Sequence, residues 1–279
     1  MSLSLEELPK EEVIEQPYLS YSRLMTYQLC SARYSYQYVI GAEWERKSAA
    51  LIFGKAIHKA VEEFYRTIQN SGEILSPDKM IPIFDNVLEL EYFNCETEIV
   101  FKDGENLNTL KQQGAELLSV FHSEVKPQKI VAVEVPFSVK IPDLINGEGF
   151  LPIRLVGYFD LVEGDSDGSY LVVELKTSSQ RFSTLKLEHD LQSTVYSYAM
   201  CQMGFATSEN STLVRYDVLL KQKKPSMEKY YVSRATEDHR RLVQLMNQIH
   251  RAIELRVFYR QNGWQCADCP FAKLCFSDV

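Results

Sequence analysis

Between Val156 and Ser179 the chain reads VGYFDLVEGDSDGSYLVVELKTSS. Two runs rich in Val, Leu and Tyr flank a Glu-Gly-Asp-Ser-Asp-Gly-Ser segment, whose Gly and Asp residues are those that a tight reversal needs. The pattern predicts a hairpin. Closed symmetrically about Asp167, it sets Asp160 directly opposite Glu174, and the two-residue period of a strand puts Lys176 on the face of Glu174. Two carboxylates and an ammonium then share one patch. A Glu and a Lys inside the apolar run LVVELKT cost burial energy unless a metal ion or an ion pair compensates. Asp160, Glu174 and Lys176 are therefore the first candidates for a site, and a one-residue slip of register would separate them.

The rest of the chain surrounds this hairpin with helices. A charged leader of about 17 residues precedes Ser20, a plausible helix cap, from which a Tyr-rich helical segment with Cys30 in its middle runs to Gly41. Residues 48–69 carry apolar positions at Ile57, Ala60, Val61 and Phe64, the spacing of an amphipathic helix, with His58 on a face shared by Gly54, Glu62 and Tyr65. Two more helices, at roughly 78–95 and 105–125, read as an insertion covering about 71–128. The segment IVAVEVPFSVKI (130–141) alternates as a strand. Beyond the hairpin, a helix is expected over Leu185–Met203, then strands over Thr212–Leu220 and Lys229–Val232, and a long helix over Glu237–Arg260. This order predicts an α/β fold, a mixed central sheet flanked by helices, in one domain over 18–279.

With 279 residues, 45% of them apolar, the chain can bury a substantial core. No apolar run is long enough to cross a bilayer, and the N-terminus is acidic where a secretory signal would be basic and then apolar, so a soluble cytoplasmic protein is expected. A net charge of −8 argues against coating nucleic acid without regard to sequence, while leaving room for a local basic groove. The bases and aromatics of KQKKPSMEKYY (221–231) and those around Arg181 and Lys186 have the composition of such a groove, and equally that of exposed lysines on an edge hairpin, the commoner case. Of six cysteines, Cys266, Cys269 and Cys275 form C-x2-C-x5-C within the C-terminal segment 264–279. That spacing suits a metal rather than a disulfide framework, and it does not choose between zinc and an iron–sulfur cluster. Cys95 and Cys201 fall in expected helices and read as simple thiols.

Four short pieces follow one another in the chain: GKAIH (54–58), GYFD (157–160), ELK (174–176) and QSTVY (192–196). Flanked by LCSARYSYQY around Cys30 and by CADCPFAKLC near the C-terminus, the ordered set resembles the PD-(D/E)XK nuclease superfamily. Within it, the set resembles the RecB-like branch that carries an iron–sulfur cluster and includes the AddB nuclease domain and the exonuclease of CRISPR adaptation. The resemblance implies a restriction-endonuclease-like core, with the 71–128 insertion unassigned. It implies Asp160, Glu174 and His58 as ligands of Mg2+ or Mn2+, an imidazole favouring Mn2+, and Lys176, Gln192 and Tyr196 as further catalytic-site residues. It further implies that Cys30 joins Cys266, Cys269 and Cys275 to hold a [4Fe-4S] cluster linking the N- and C-terminal segments, with Zn2+ as the alternative.

The implied activity is metal-dependent hydrolysis of DNA, as an exonuclease at single-stranded ends in recombination, repair or CRISPR spacer acquisition. The implied partners are DNA and the proteins of a recombination or adaptation complex, with no membrane. The alternative is a non-catalytic DNA-binding or scaffolding subunit of such a complex. Glu174 stands where relatives of this branch often carry aspartate, and the superfamily pattern admits either acid.

Overall fold

A computed structural model describes residues 17–164, 169–206 and 212–277. The expected leader and the tip of the hairpin around Asp167 lie outside the described residues. The chain opens with β1 (Tyr18–Leu19) and α1 (Tyr21–Leu29), where the Ser20 hydroxyl accepts from the Arg23 N–H as predicted for a cap. Cys30 is not in mid-helix. It has extended backbone angles (φ −166°, ψ 110°) and breaks the segment into α1 and α2 (Ser31–Tyr34), which continues as a wider turn to Ile40 before Gly41 ends it at φ 69°.

Next come β2 (Arg46–Ser48) and α3 (Ala49–Ser71), which bears the predicted apolar stripe. The 71–128 segment holds α4 (Pro77–Phe93), β3 (Glu98–Val100) and α5 (Leu107–Glu124). It is not purely helical, because β3 pairs in parallel with β2 and ties the segment to the start of α3. The strands β4 (Lys129–Pro142), β5 (Phe150–Gly164) and β6 (Tyr170–Ser178) follow. The single helix expected over Leu185–Met203 is two, α6 (Thr184–Glu188) and α7 (Leu191–Gln202). Asp190 separates them because its carboxylate accepts from the Ser193 N–H and so caps α7. Then come β7 (Thr212–Leu220), β8 (Ser226–Arg234), α8 (Thr236–Glu254), which stops six residues before the predicted end at Arg260, and the short α9 (Ala272–Ser277).

Six of these strands form one mixed sheet, with β4 along one edge of β5 and the order β1-β5-β6-β7-β8. The other edge of β5 is shared: β1 pairs at Arg154–Leu155 and β6 at Leu161–Gly164. Between them, among the described residues, that edge has no strand partner. On one face of the sheet Leu24 of α1, Val195 and Met200 of α7 and Leu242 and Met246 of α8 pack against Phe137, Phe159 and Val172. On the other, Ile57 and Phe64 of α3, Met80 and Phe84 of α4 and Leu117 of α5 pack against Val133, Leu161 and Leu175. Each fully buried side chain of this size stabilises the fold by about 1.5–3 kcal/mol. The second layer also encloses an ionic knot in which Arg215 binds Glu163 at 2.6 Å and Asp217 at 2.8 Å.

Strand side chains should alternate between these two cores. In β5, however, Phe159 belongs to the first core and Leu161 to the second, and in β4 Val135 belongs to the first and Val133 to the second. The alternation thus slips by one residue at Asp160 and at Glu134. Glu134 has φ +52°, a left-handed conformation that costs a non-glycine residue roughly 1 kcal/mol or more. The pairs Val133↔Leu161 and Val135↔Phe159 place these two acids opposite each other.

Candidate active site

The hairpin register agrees with the sequence reading. Leu161↔Val173 is the last described pair on the site side, and one more step sets Asp160 opposite Glu174. The strands part there. Asp160 Oδ2 accepts from the Leu175 N–H at 3.0 Å, replacing a ladder bond with a side-chain bond. The slip in alternation turns the Asp160 carboxylate towards α3, where His58 Nδ1 stands 3.4 Å from Oδ2. His58, Glu62 and Tyr65, on one face of α3, line a cavity together with Glu134, Asp160 and Asp217.

Glu174 points the other way, towards α7. Its Oε1 accepts from Lys176 Nζ at 2.5 Å and from Gln192 Nε2 at 2.7 Å, and its Oε2 accepts from the Tyr196 hydroxyl at 2.7 Å. Gln192 and Tyr196 are one helical turn apart and bonded to each other at 2.9 Å. The expected single patch is therefore two half-sites joined through the backbone of Leu175. Lys176 and Glu174 share one half. Asp160 and His58 share the other.

Charge and burial act strongly here. Burial raises the Asp160 carboxyl well above its usual range, and the neighbouring Glu174 raises it further. Burial likewise pushes Glu134 up to about 7, with Glu62 and Glu174 adding to it. Burial alone would lower the Lys176 amine, but Glu174 beside it outweighs this and holds it above the ordinary lysine range. Burial lowers His58 despite the pull of Glu174, so its imidazole is neutral at pH 7 and has a free lone pair to offer. The Tyr196 hydroxyl, raised by burial and by Glu174, stays protonated and donates.

Among the described residues no three His, Cys, Asp or Glu side chains are already drawn together as a bound ion would hold them. The chemistry of the set nonetheless fits a hard divalent cation: the half-buried Asp160 and buried Glu174 carboxylates, whose repulsion a cation would relieve, with a neutral imidazole beside Asp160. In the sequence Glu134 shows only as one position of an alternating strand. Its signal was one acid in the apolar run IVAVEVPF, at the position where the structure opens the cavity.

In a second cavity, Cys30, Cys266, Cys269 and Cys275 are all among the lining residues, with Tyr36 and Phe271 packed together beside them. Burial pushes the Cys269 thiol up, and the nearness of Cys30 and Cys275 adds to it. Thiols are donors of the kind that an iron–sulfur cluster or zinc takes, and among the described residues no three of these four are drawn together as a bound metal would hold them. Cys95 and Cys201 lie elsewhere, in a turn after α4 and in α7.

A mixed sheet between two helical layers, with an acid pair and a lysine where two strands part, defines an α/β protein with a buried ionic site. The PD-(D/E)XK nuclease superfamily model matches residues 18–276, and the chain belongs to that superfamily. A solved structure from Eubacterium rectale, named as a candidate exonuclease, shares the fold, with a TM-score of 0.54 and 13% identity over 100% of this chain and 94% of that one. The solved structure of SSO0001 is 15% identical over 85% of this chain and 88% of that one, at a TM-score of 0.37, too distant to carry an argument. No curated protein matches the chain. Among the described residues no helix is long and apolar enough to cross a membrane.

Proposed function

We propose that this protein is a divalent-metal-dependent deoxyribonuclease, acting as an exonuclease on single-stranded DNA ends in recombination, repair or CRISPR spacer acquisition. The observation that carries the reading is the parting of β5 and β6 at Asp160 and Glu174, which leaves one half-buried acid, one buried acid and Lys176 where the two strands separate. Asp160, Glu174 and His58 would hold Mg2+ or Mn2+, with the Glu134 carboxyl across the cavity as a further oxygen donor. The ion, when bound, polarises the phosphate and lowers the pKa of its water.

The chain's own groups do the rest. Gln192 and Tyr196 fix both oxygens of Glu174, so that this carboxylate is already oriented before substrate arrives. Lys176, charged at pH 7, offers its ammonium to the attacking water or to the negative charge that builds on the phosphate. His58, neutral, contributes a lone pair rather than a proton.

We also assign Cys30, Cys266, Cys269 and Cys275 to a [4Fe-4S] cluster. A scaffolding subunit without chemistry would have no use for a carboxyl held well above its ordinary range at Asp160 beside the Glu174–Lys176 ion pair. The deciding experiment is cleavage of labelled single-stranded DNA with Mg2+ or Mn2+ by Asp160→Asn. The amide keeps an acceptor for the Leu175 N–H, so the fold should survive while the rate falls by about a hundredfold or more. Cleavage at the wild-type rate by that variant would refute the assignment.

A further inference from the structure

Arg234 is the last residue of β8 and only 7% exposed. Its guanidinium donates through Nε to Thr194 Oγ1 at 2.9 Å, and through Nη2 to the carbonyls of Leu187 at 2.7 Å and Asp190 at 3.1 Å. Nη1 donates to the Ser233 carbonyl at 3.0 Å. All four acceptors are neutral. Among the described residues Arg234 has no carboxylate within ion-pair distance, whereas the equally buried Arg215 has two. A cation taken out of water with no counter-charge is unfavourable, and an apolar side chain of similar volume would fill the same space at lower cost. Packing alone therefore gives no reason for an arginine here.

The guanidinium holds the break between α6 and α7. Leu187 lies in the last turn of α6, where carbonyls lack helical partners, Asp190 is the cap of α7, and Thr194 stands near the start of that helix. Asp190 is fixed by its side chain as well, since Oδ2 accepts from the Ser193 N–H at 2.8 Å and from the Tyr216 hydroxyl. Tyr216 on β7 is in turn the direct strand neighbour of Glu174 on β6. Gln192 sits between Asp190 and Thr194, the two α7 positions that Arg234 grips, and its Nε2 reaches Glu174 Oε1 at 2.7 Å. The amide is neutral, so only its placement orients the acid.

We propose that Arg234 is a positioning residue of the site: it sets the first turn of α7 and, through Gln192, the orientation of the Glu174 carboxylate, without itself touching ion or substrate. This deepens the nuclease reading above and rests on it. A misplacement of about 1 Å at a reacting group can cost roughly a hundredfold in rate, which gives a buried, unpaired guanidinium a use.

The test is a double-mutant cycle between Arg234→Met and Gln192→Ala, read first as Mn2+ affinity by calorimetry without DNA, then as kcat and KM on labelled single-stranded DNA. Arg234→Met should weaken Mn2+ binding by roughly three- to tenfold and lower kcat by about tenfold at little change in KM, and should add almost nothing once Gln192→Ala is present. Arg234→Lys, which keeps the charge but cannot reach all the acceptors, should fall between. A merely structural arginine would lower the melting temperature and leave Mn2+ affinity and kcat of the folded protein unchanged. That result, or effects that simply add in the cycle, would overturn the proposal. Thr194→Val removes the acceptor of Nε at nearly constant shape and should show the same losses at smaller size. It decides the matter if Arg234→Met does not fold, and wild-type Mn2+ affinity in Thr194→Val would then overturn the proposal. A wild type that follows the Mn2+ pattern but cuts no DNA would sink the nuclease reading alone, whereas one that binds no Mn2+ would overturn both.

Discussion

Asp160 Oδ2 accepts the Leu175 N–H at 3.0 Å, in the place where the next rung of the β5–β6 ladder would lie. One side chain thereby ends the pairing of the two strands, satisfies the backbone group it frees, and keeps its other oxygen for the cavity. The cost is a half-buried carboxyl whose charge burial and Glu174 both oppose. Such a residue weakens the fold as an anion and gains from a proton or a cation.

Glu134 makes this measurable. Its carboxyl is pushed up to about 7 by burial, then by Glu62 and Glu174, from the ordinary 4.5. A carboxyl that binds its proton more tightly when folded contributes stability that is complete below 4.5 and is lost as pH rises through about 7. In EDTA the protein should therefore melt higher at pH 5 than at pH 8. After allowance for solvent screening, the Glu134 share is about 1 kcal/mol, or roughly 2–4 °C. Glu134→Gln should remove that share of the difference in a thermal melt. An unchanged pH dependence in the variant would contradict the assignment.

Tyr196→Phe tests the orientation of Glu174. The ring stays packed between Phe159 and Phe137, so no cavity forms, but a buried carboxylate oxygen loses its donor. The expected cost is about 1–3 kcal/mol in denaturant unfolding, together with a lower kcat. Wild-type stability and kcat would show that the hydroxyl has no part in holding the acid.

Cys30→Ala tests the cluster. Cys30 and Cys266 lie towards opposite ends of the chain, and a group bonded to both closes nearly all of it into one loop, which removes much unfolded-chain entropy. Purified anaerobically, the wild type should be brown and contain iron. The variant should lose colour, solubility and melting temperature, and activity only as a consequence. Colourless wild-type protein with stoichiometric zinc would instead assign the four cysteines to zinc. A variant that melts like the wild type but no longer cuts would place the cluster at the DNA.

Arg215→Met probes the second layer. It leaves Glu163 and Asp217 buried without their cation, and a loss of about 3–5 kcal/mol is expected in denaturant unfolding. A variant as stable as the wild type would show that the two acids simply take up protons.

Much of this architecture was legible in the residues. The Asp160–Glu174 register followed from a symmetric turn and a period of two, and the α3 stripe from a period of 3.6, because both depend only on local backbone geometry. Helix ends were less legible. Asp190 broke an expected helix by capping the next one, and Cys30 marks a break rather than a mid-helix position. In both cases a short-range signal competed with a longer apolar pattern.

By itself the sequence determined which residues could carry a site: Asp160, Glu174 and Lys176 in one hairpin, His58 on one helix face, and three cysteines in one short segment. Tertiary structure decided how they are shared out. The left-handed backbone at Glu134 and the matching slip at Asp160 turn one acid towards α3, while Gln192 and Tyr196 draw the other towards α7. It also brought Cys30 to the cavity that the C-terminal cysteines line. Strand periodicity fixes faces only while it is unbroken, and which face a side chain takes past a break depends on packing from helices far away in the chain.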